Sequence, residues 1–347
     1  MSHSSRQTSL REALELHPLE PAGSYTIETP PSLCFATVTI GGLVTSIVHQ
    51  AAADFLSKSV STNAHRHVMC VYTQFFRPTL PSPKQATLKF RIASSSKTST
   101  ALHLEVIQND KLCLAGYITM TDMATPGQLS VQTGWQLTPR PPPVSLDGLE
   151  ADATSIWSGY LTPFDPSTYR KPQSYVKYYV PVERTNKHYI DQWVTPGWKD
   201  DCSPNGAVWT NEIIHFLVDN SLPILNILLD TDGKLDMYNK IVTAGLLQKQ
   251  ARSEGKDDQL WGEGLTDSEL LFPWIISTVS TSTELKRLLP KEGCKWLFMR
   301  NTVKTLTHSR MDLEIVLLDE KMELVALSQH ICQVIHVDNK RAKKANL

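Results

Sequence analysis

The stretch SRMDLEIVLLDEKMELVALSQHICQVIHV, residues 309–337, decides the architecture. Two apolar runs, Met311 to Leu318 and Glu323 to Val337, flank a charged corner at Asp319, Glu320 and Lys321. Leu313, Ile315 and Leu317 alternate with Glu314 and Val316, the two-residue period of a strand with one covered face. Two such runs around a polar corner predict a hairpin. The same hairpin is written again in the first half of the chain, as STALHLEVIQNDKLCLAGYITM, residues 99–120. There Leu104 to Ile107 answers Leu313 to Val316, Asn109-Asp110-Lys111 answers the later corner, and Leu114-Ala115 answers Val325-Ala326. A second echo precedes each copy: FFRPTLP (Phe75 to Pro81) and LKRLLP (Leu285 to Pro290). An internal repeat on this scale predicts one module, duplicated and fused.

Each half of the 347 residues is long enough to bury its own core. Lysine and arginine number 34 against 35 aspartates and glutamates, a net charge of −1, which excludes polyanion binding by bulk charge. Six cysteines without a Cys-x-x-Cys spacing argue against a zinc site and a disulfide scaffold, and predict buried thiols in a reducing compartment. No apolar run approaches the roughly 20 residues of a membrane span. The polar N-terminus shows no signal peptide, so the expected place is cytoplasmic. A peroxisomal alternative comes from Ala345-Asn346-Leu347, which keeps the small residue and the leucine of a Ser-Lys-Leu address. Residues 338–347, with their Lys340 to Lys344 cluster, read as a solvated basic tail.

In chain order, residues 1–23 hold a short helix, with Ser9 and Glu12 forming a capping box. The first module spans 24–122. Its strand Ser24 to Glu28 precedes a helix near 42–56 that is too continuously apolar for a surface position, so a sheet should wrap it. Gly41-Gly42 opens that helix; close packing is one reading, backbone donors aimed at a ligand the other. Strands follow at Val68 to Phe76, Leu88 to Ala93 and Leu102 to Thr121. One helix followed by several strands without a further crossover is an α+β pattern, an antiparallel sheet curled around a helix. Residues 123–173, with Pro139 to Pro143, read as a semi-rigid linker. The second module, 174–337, repeats the order with a strand at Ser174 to Val182 and a helix at 209–222. An insertion at 230–271 reads as a cap over substrate access or as an oligomer contact, for instance in a homodimer. Asp219 stands out, because a carboxylate on a helix swallowed by a sheet is expensive unless it is paired or used.

The doubled module, Gly41-Gly42 at the head of the first helix, Phe76-Arg77-Pro78 closing a strand, Gln108 to Lys111 in the first hairpin, and Arg310 to Glu314 with Ser328-Gln329 in the second resemble the double hot-dog acyl-CoA thioesterases. The fungal thioesterase-like branch is the most similar part of that family. The resemblance covers the chain apart from the insertion and implies two fused hot-dog modules whose sheets pair edge to edge. It also implies hydrolysis by an Asp on the second helix with a Thr and a Gln on adjacent strands. These fall on Asp219, on Thr278 (with Ser277, Ser280 and Thr281 as near alternatives) and on Gln329. A carboxylate so accompanied can deprotonate water while an amide or a helix N-terminus stabilises the oxyanion. No cofactor or metal is implied, and no Ser–His–Asp signature is visible in the sequence. Where the family has an Arg-x-Gly-x-Ser turn this chain has Ser95 to Ser99, which leaves Lys97 to meet the CoA phosphates. Ile40, just before Gly41-Gly42, offers no polar side chain. His49, His215 and His330 lack a metal-binding spacing and are read as structural.

The expected function is therefore hydrolysis of a fatty or polyketide-like acyl thioester, on CoA or an acyl carrier, in lipid or secondary metabolism. Two other classes stay open: a hot-dog dehydratase or cyclase, and a non-catalytic acyl-binding protein. Nucleic acid is not an expected partner.

Overall fold

The long apolar helix of the first module forms as its sequence demands. α2 spans Gly41–Ser59 and buries Leu43, Val44, Ile47, Val48, Ala51 and Ala52 against a sheet. Each fully buried leucine or valine contributes about 1.5–3 kcal/mol. A computed structural model describes residues 7–59, 65–125, 129–184, 186, 188–200, 203–204, 206–222, 224–229, 237–256 and 274–336. Before α2 come α1 (Leu10–Ala13), with the Ser9–Glu12 capping box in place, β1 (His17–Leu19), β2 (Ser24–Ile27) and the small ribbon of β3 (Cys34–Phe35) and β4 (Val38–Thr39). After it run β5 (His67–Phe75), β6 (Ala86–Ser95), β7 (Ser99–Gln108) and β8 (Lys111–Thr121).

The second module carries α3 (Leu146–Glu150), β9 (Trp157–Leu161), β10 (Val176–Pro181), β11 (Tyr189–Pro196), α4 (Ile214–Asp219), α5 (Ile224–Leu229) and α6 (Met237–Ser253), then β12 (Trp274–Leu285), β13 (Leu297–Thr307), β14 (Arg310–Leu318) and β15 (Leu324–His336). Among the described residues the main sheet has 13 strands in the order β1-β2-β6-β7-β8-β5-β12-β15-β14-β13-β11-β10-β9, each neighbouring pair antiparallel. β5 and β12 join the modules, Thr73 facing Thr281, so each half covers an edge the other would leave open.

The repeat is real, but its register differs from the sequence reading. The amides of Phe76 and Arg77 donate to the Cys113 carbonyl, and those of Lys286 and Arg287 to the Val325 carbonyl. Leu114 therefore corresponds to Ala326, and Leu104, opposite Gly116, corresponds to Ile315, opposite Ser328. The tripeptide echo slid the copies because their turns differ. The first is a two-residue turn with Asn109 and Asp110 at φ 52° and 57°; the second is a wider loop in which the Asp319 amide donates to Glu323.

Two further expectations are corrected. The helix expected over 209–222 is only α4, because the Trp209 backbone bonds both ways with Cys294 and Asn220 leaves helical geometry at φ −111°, ψ 58°. Residues 123–173 contribute the sheet's edge strand β9, and Leu149 and Trp157 join Trp193, Trp296 and Phe298 in a second apolar cluster, separate from the main core. α6, from the insertion, lies on β9: the Gln248 side chain donates to the Leu161 carbonyl and accepts from its amide, as a neighbouring strand would. Residues 338–347, including the Ala345-Asn346-Leu347 address, lie outside the described residues. Among the described residues no helix is long and apolar enough to cross a membrane, which says nothing of strands.

Candidate active site

The two module helices meet antiparallel where α2 begins and α4 ends. Gly42 makes this meeting possible: a Cβ there would lie 2.4 Å from the His215 carbonyl oxygen and 2.6 Å from Asp219 Cβ. At that closeness the Gly42 amide donates to Asp219 Oδ2 over 2.7 Å. The carboxylate is thus held by a backbone donor at the N-terminus of a 19-residue helix, where the helix dipole stabilises negative charge. Further along the contact, the Phe216 amide donates to Ser46 Oγ at 3.1 Å, and His49 Nδ1 meets His215 Nε2 at 2.9 Å. Burial pushes His49 down to about 3; burial, then its neighbour His49, holds His215 well below the ordinary imidazole range.

A small pocket opens on this junction, lined by Gly42, Thr45 and Phe75 from the first module and by His215, Val218, Asp219, Thr281, Thr283 and His330 from the second. On the sheet, inward-facing residues alternate. Thr281 lies opposite both Thr73 and His330, and Thr283 lies opposite Ser328. Hydroxyl contacts tie the row together: Thr73 to Thr281 at 2.6 Å, Thr283 to Ser328 at 2.7 Å, and Ser328 Oγ to His330 Nε2 at 3.0 Å. His330 Nδ1 faces Asp219 Oδ1 at 3.8 Å.

Of the site residues expected from sequence, Asp219, Gly41 and Gly42 come together: a Cβ on Gly41 would lie 3.4 Å from Asp219 Oδ2. Gln329 does not join them. It occupies an outward position of β15, is exposed, and leaves the flanking Ser328 and His330 to face inward. Thr278 shares the inner face but sits one cross-strand step away, opposite Cys332, beyond a bulge at residues 278–280; its hydroxyl is 4.0 Å from the Cys332 sulfur. The threonines on the pocket wall are Thr281 and Thr283. Lys97 is exposed in the β6–β7 turn. Phe75 pairs with Leu114 and Val68 with Met120, so that turn lies about 20 Å along the strands from the pocket.

Sequence reasoning missed His215 and His330, read as structural, although alternation about Gln329 carried the signal for His330. None of the described cysteines lines the pocket. Burial, then Asp219, pushes the Cys332 thiol up to about 12, and burial lifts Cys34 to about 11. Among the described residues no group of His, Cys, Asp or Glu is placed to hold a metal.

Residues 29–121 match the family model of the acyl-CoA thioesterase N-terminal domain, and residues 140–334 that of the C-terminal domain. The chain belongs to the acyl-CoA thioesterase family. The thioesterase is similar to the thioesterase-like protein TwmA of Talaromyces wortmannii, 22% identical over 340 residues that cover 93% of this chain and 91% of that one. Its fold is shared by a candidate thioesterase II from Thermobifida fusca, with a TM-score of 0.63 at 15% identity over 97% and 100% of the two chains. A hot-dog protein from Alicyclobacillus acidocaldarius gives 0.64 at 10% identity over 96% and 100%. The double hot-dog architecture and a hydrolase acting on thioesters both follow from family membership.

Proposed function

We propose that this thioesterase cleaves a fatty or polyketide-like acyl thioester, on CoA or an acyl carrier, at the inter-module pocket with Asp219 as general base. The observation that carries the reading is the carboxylate itself. Its Oδ2 is engaged by the Gly42 amide while Oδ1 is turned toward the His330 side of the pocket. An anchored carboxylate with one free oxygen can take a proton from water as that water attacks the thioester carbon. On collapse the C–S bond breaks, and the proton passes from Asp219 to the leaving thiolate. No described cysteine lines the pocket, which speaks against a cysteine acyl-enzyme there.

The test is release of free thiol from a panel of acyl-CoAs. Asp219→Asn should lower kcat by about 100-fold or more, the scale of lost general-base catalysis, with little change in melting temperature. A variant that turns over at the wild-type rate would remove Asp219 from the mechanism.

A further inference from the structure

We propose that His330 is a second catalytic group of this site, holding the attacking water against Asp219, and that Ser328 and Thr283 fix the imidazole in the tautomer this requires. The inference rests on Asp219-dependent hydrolysis and adds the residues that orient the nucleophile.

Ser328 and His330 are alternate residues of β15, so both point to the inner face, one opposite Thr283 and the other opposite Thr281. The four groups Thr283 Oγ1, Ser328 Oγ, His330 and Asp219 form a chain with successive separations of 2.7, 3.0 and 3.8 Å. His330 is 3% exposed, Thr283 2% and Ser328 0%, so bulk water does not compete for these contacts. A carboxylate facing Nδ1 favours the proton on that nitrogen. The Nε2 lone pair then accepts from the Ser328 hydroxyl, whose oxygen accepts from Thr283, so these two hydrogen bonds run in one direction. Burial lowers the imidazole pKa against the opposing pull of Asp219, which leaves the ring neutral near pH 7.

The 3.8 Å gap is too long for a hydrogen bond but suits a bridging oxygen. A water about 2.8 Å from both atoms subtends roughly 85° between them. It can accept from His330 Nδ1–H and donate to Asp219 Oδ1. In the reaction that donated proton goes to Asp219, the water oxygen bonds to the carbonyl carbon, and the imidazole keeps its own proton throughout. His330 thereby does the positioning that the family resemblance had assigned to Gln329.

Ser328, His330 and Asp219 also have the outline of a nucleophilic triad. Two observations turn the reading from that chemistry toward a relay. Ser328 is fully buried behind the pocket wall and is not among the residues that line it, and its oxygen is already engaged by Thr283. A nucleophile has to touch the carbonyl carbon; a tautomer-fixing hydroxyl does not.

The experiment compares His330→Ala, His330→Gln, Ser328→Ala and the double variant Ser328→Ala/His330→Gln in thiol release, with thermal melting as the folding control and Asp219→Asn alongside. His330→Ala should lower kcat about 100-fold with KM within about threefold, and His330→Gln, whose amide can still donate, should recover about tenfold of that loss. Ser328→Ala should lower kcat about tenfold in the wild-type background and leave His330→Gln unchanged, because the serine acts only through the imidazole. A purely structural serine would cost the same in both backgrounds, and that result overturns the proposal. So does His330→Ala turnover within threefold of wild type, or a Ser328→Ala loss as deep as that of Asp219→Asn with an acyl-Ser328 adduct trapped in the wild type. If Asp219→Asn itself remains fully active, it is the hydrolysis mechanism that fails.

Discussion

Gly42→Ala tests what brings Asp219 to the pocket. A methyl group at this position would sit 2.4 Å from the His215 carbonyl oxygen, 2.6 Å from Asp219 Cβ and 3.0 Å from Phe216 Cα. Two of these three are backbone atoms of α4, so no side-chain rotation relieves the clash and the helices must separate. Overpacking of this kind costs about 1–3 kcal/mol. Separation also lengthens the Gly42–Asp219 bond of 2.7 Å, and a hydrogen bond to a charged group contributes about 1.5–3 kcal/mol. Alanine returns at most about 1 kcal/mol of helix propensity. The net loss is about 2–5 kcal/mol, read as a fall in the denaturant midpoint, and kcat should fall with it as the carboxylate loses its anchor. Gly41→Ala is the internal control. Its Cβ would meet the Phe75 ring at 2.9 Å, a side chain that can turn aside, so its stability loss should stay below about 1 kcal/mol. Equal behaviour of the two variants, or wild-type stability and turnover in Gly42→Ala, would refute the claim that close helix approach positions Asp219.

Two other outcomes are expected. The His49–His215 pair should make the protein acid-sensitive: both imidazoles are held below their unfolded value of about 6.5, so the unfolded chain binds more protons below that pH and stability falls as pH drops from there toward about 3. At pH 5 the loss from His49 is about 2 kcal/mol, and urea unfolding at pH 7 and pH 5 should show a shallower dependence in His49→Asn. Gln248→Leu should strand the Leu161 amide and carbonyl on the edge strand, costing about 1–3 kcal/mol and promoting self-association visible by light scattering, with kcat unchanged because α6 does not line the pocket.

The fold was legible because it depends on patterns with a short period. Alternation in Leu313 to Leu317, the capping box at Ser9 and the unbroken apolar face of α2 each report a local geometry that tertiary packing then preserves. β9 and the ends of α4 were not legible, since they are set by partners distant in sequence: Tyr178 and Tyr179 across from β9, and Cys294 across from Trp209. The site divides along the same line. Asp219 betrayed itself by an apolar neighbourhood in which a carboxylate needs a reason. Gln329 and His330 differ by a single position on a strand, and at that resolution a sequence echo cannot decide which of the two faces inward. The pocket wall carries Thr281, one of the near alternatives to Thr278 in the sequence reading, together with Thr283 and His330, while Gln329 faces outward.

Duplication gave two modules, but the described pocket takes its carboxylate and its imidazoles from the second. With Phe75 set against Leu285 and Leu114 against Ala326, Thr73 corresponds to Thr283, Val71 to Thr281, Gly116 to Ser328 and Ile118 to His330. The first module therefore keeps one hydroxyl and otherwise places small or apolar residues where the second places a hydroxyl relay and an imidazole. Val71 and Ile118 are fully buried, so that interior is filled with apolar side chains where its twin spends volume on polar groups. What the first module supplies is α2, whose N-terminal amide reaches across the junction to the carboxylate of the other helix. Neither half is complete alone. A carboxylate at the end of α4 would lack its donor without α2, and α2 would have no charge to hold without Asp219. The fusion thus fixes the stoichiometry of the two unlike halves at the one point where their difference matters, which a symmetric dimer of identical modules cannot do at a single site.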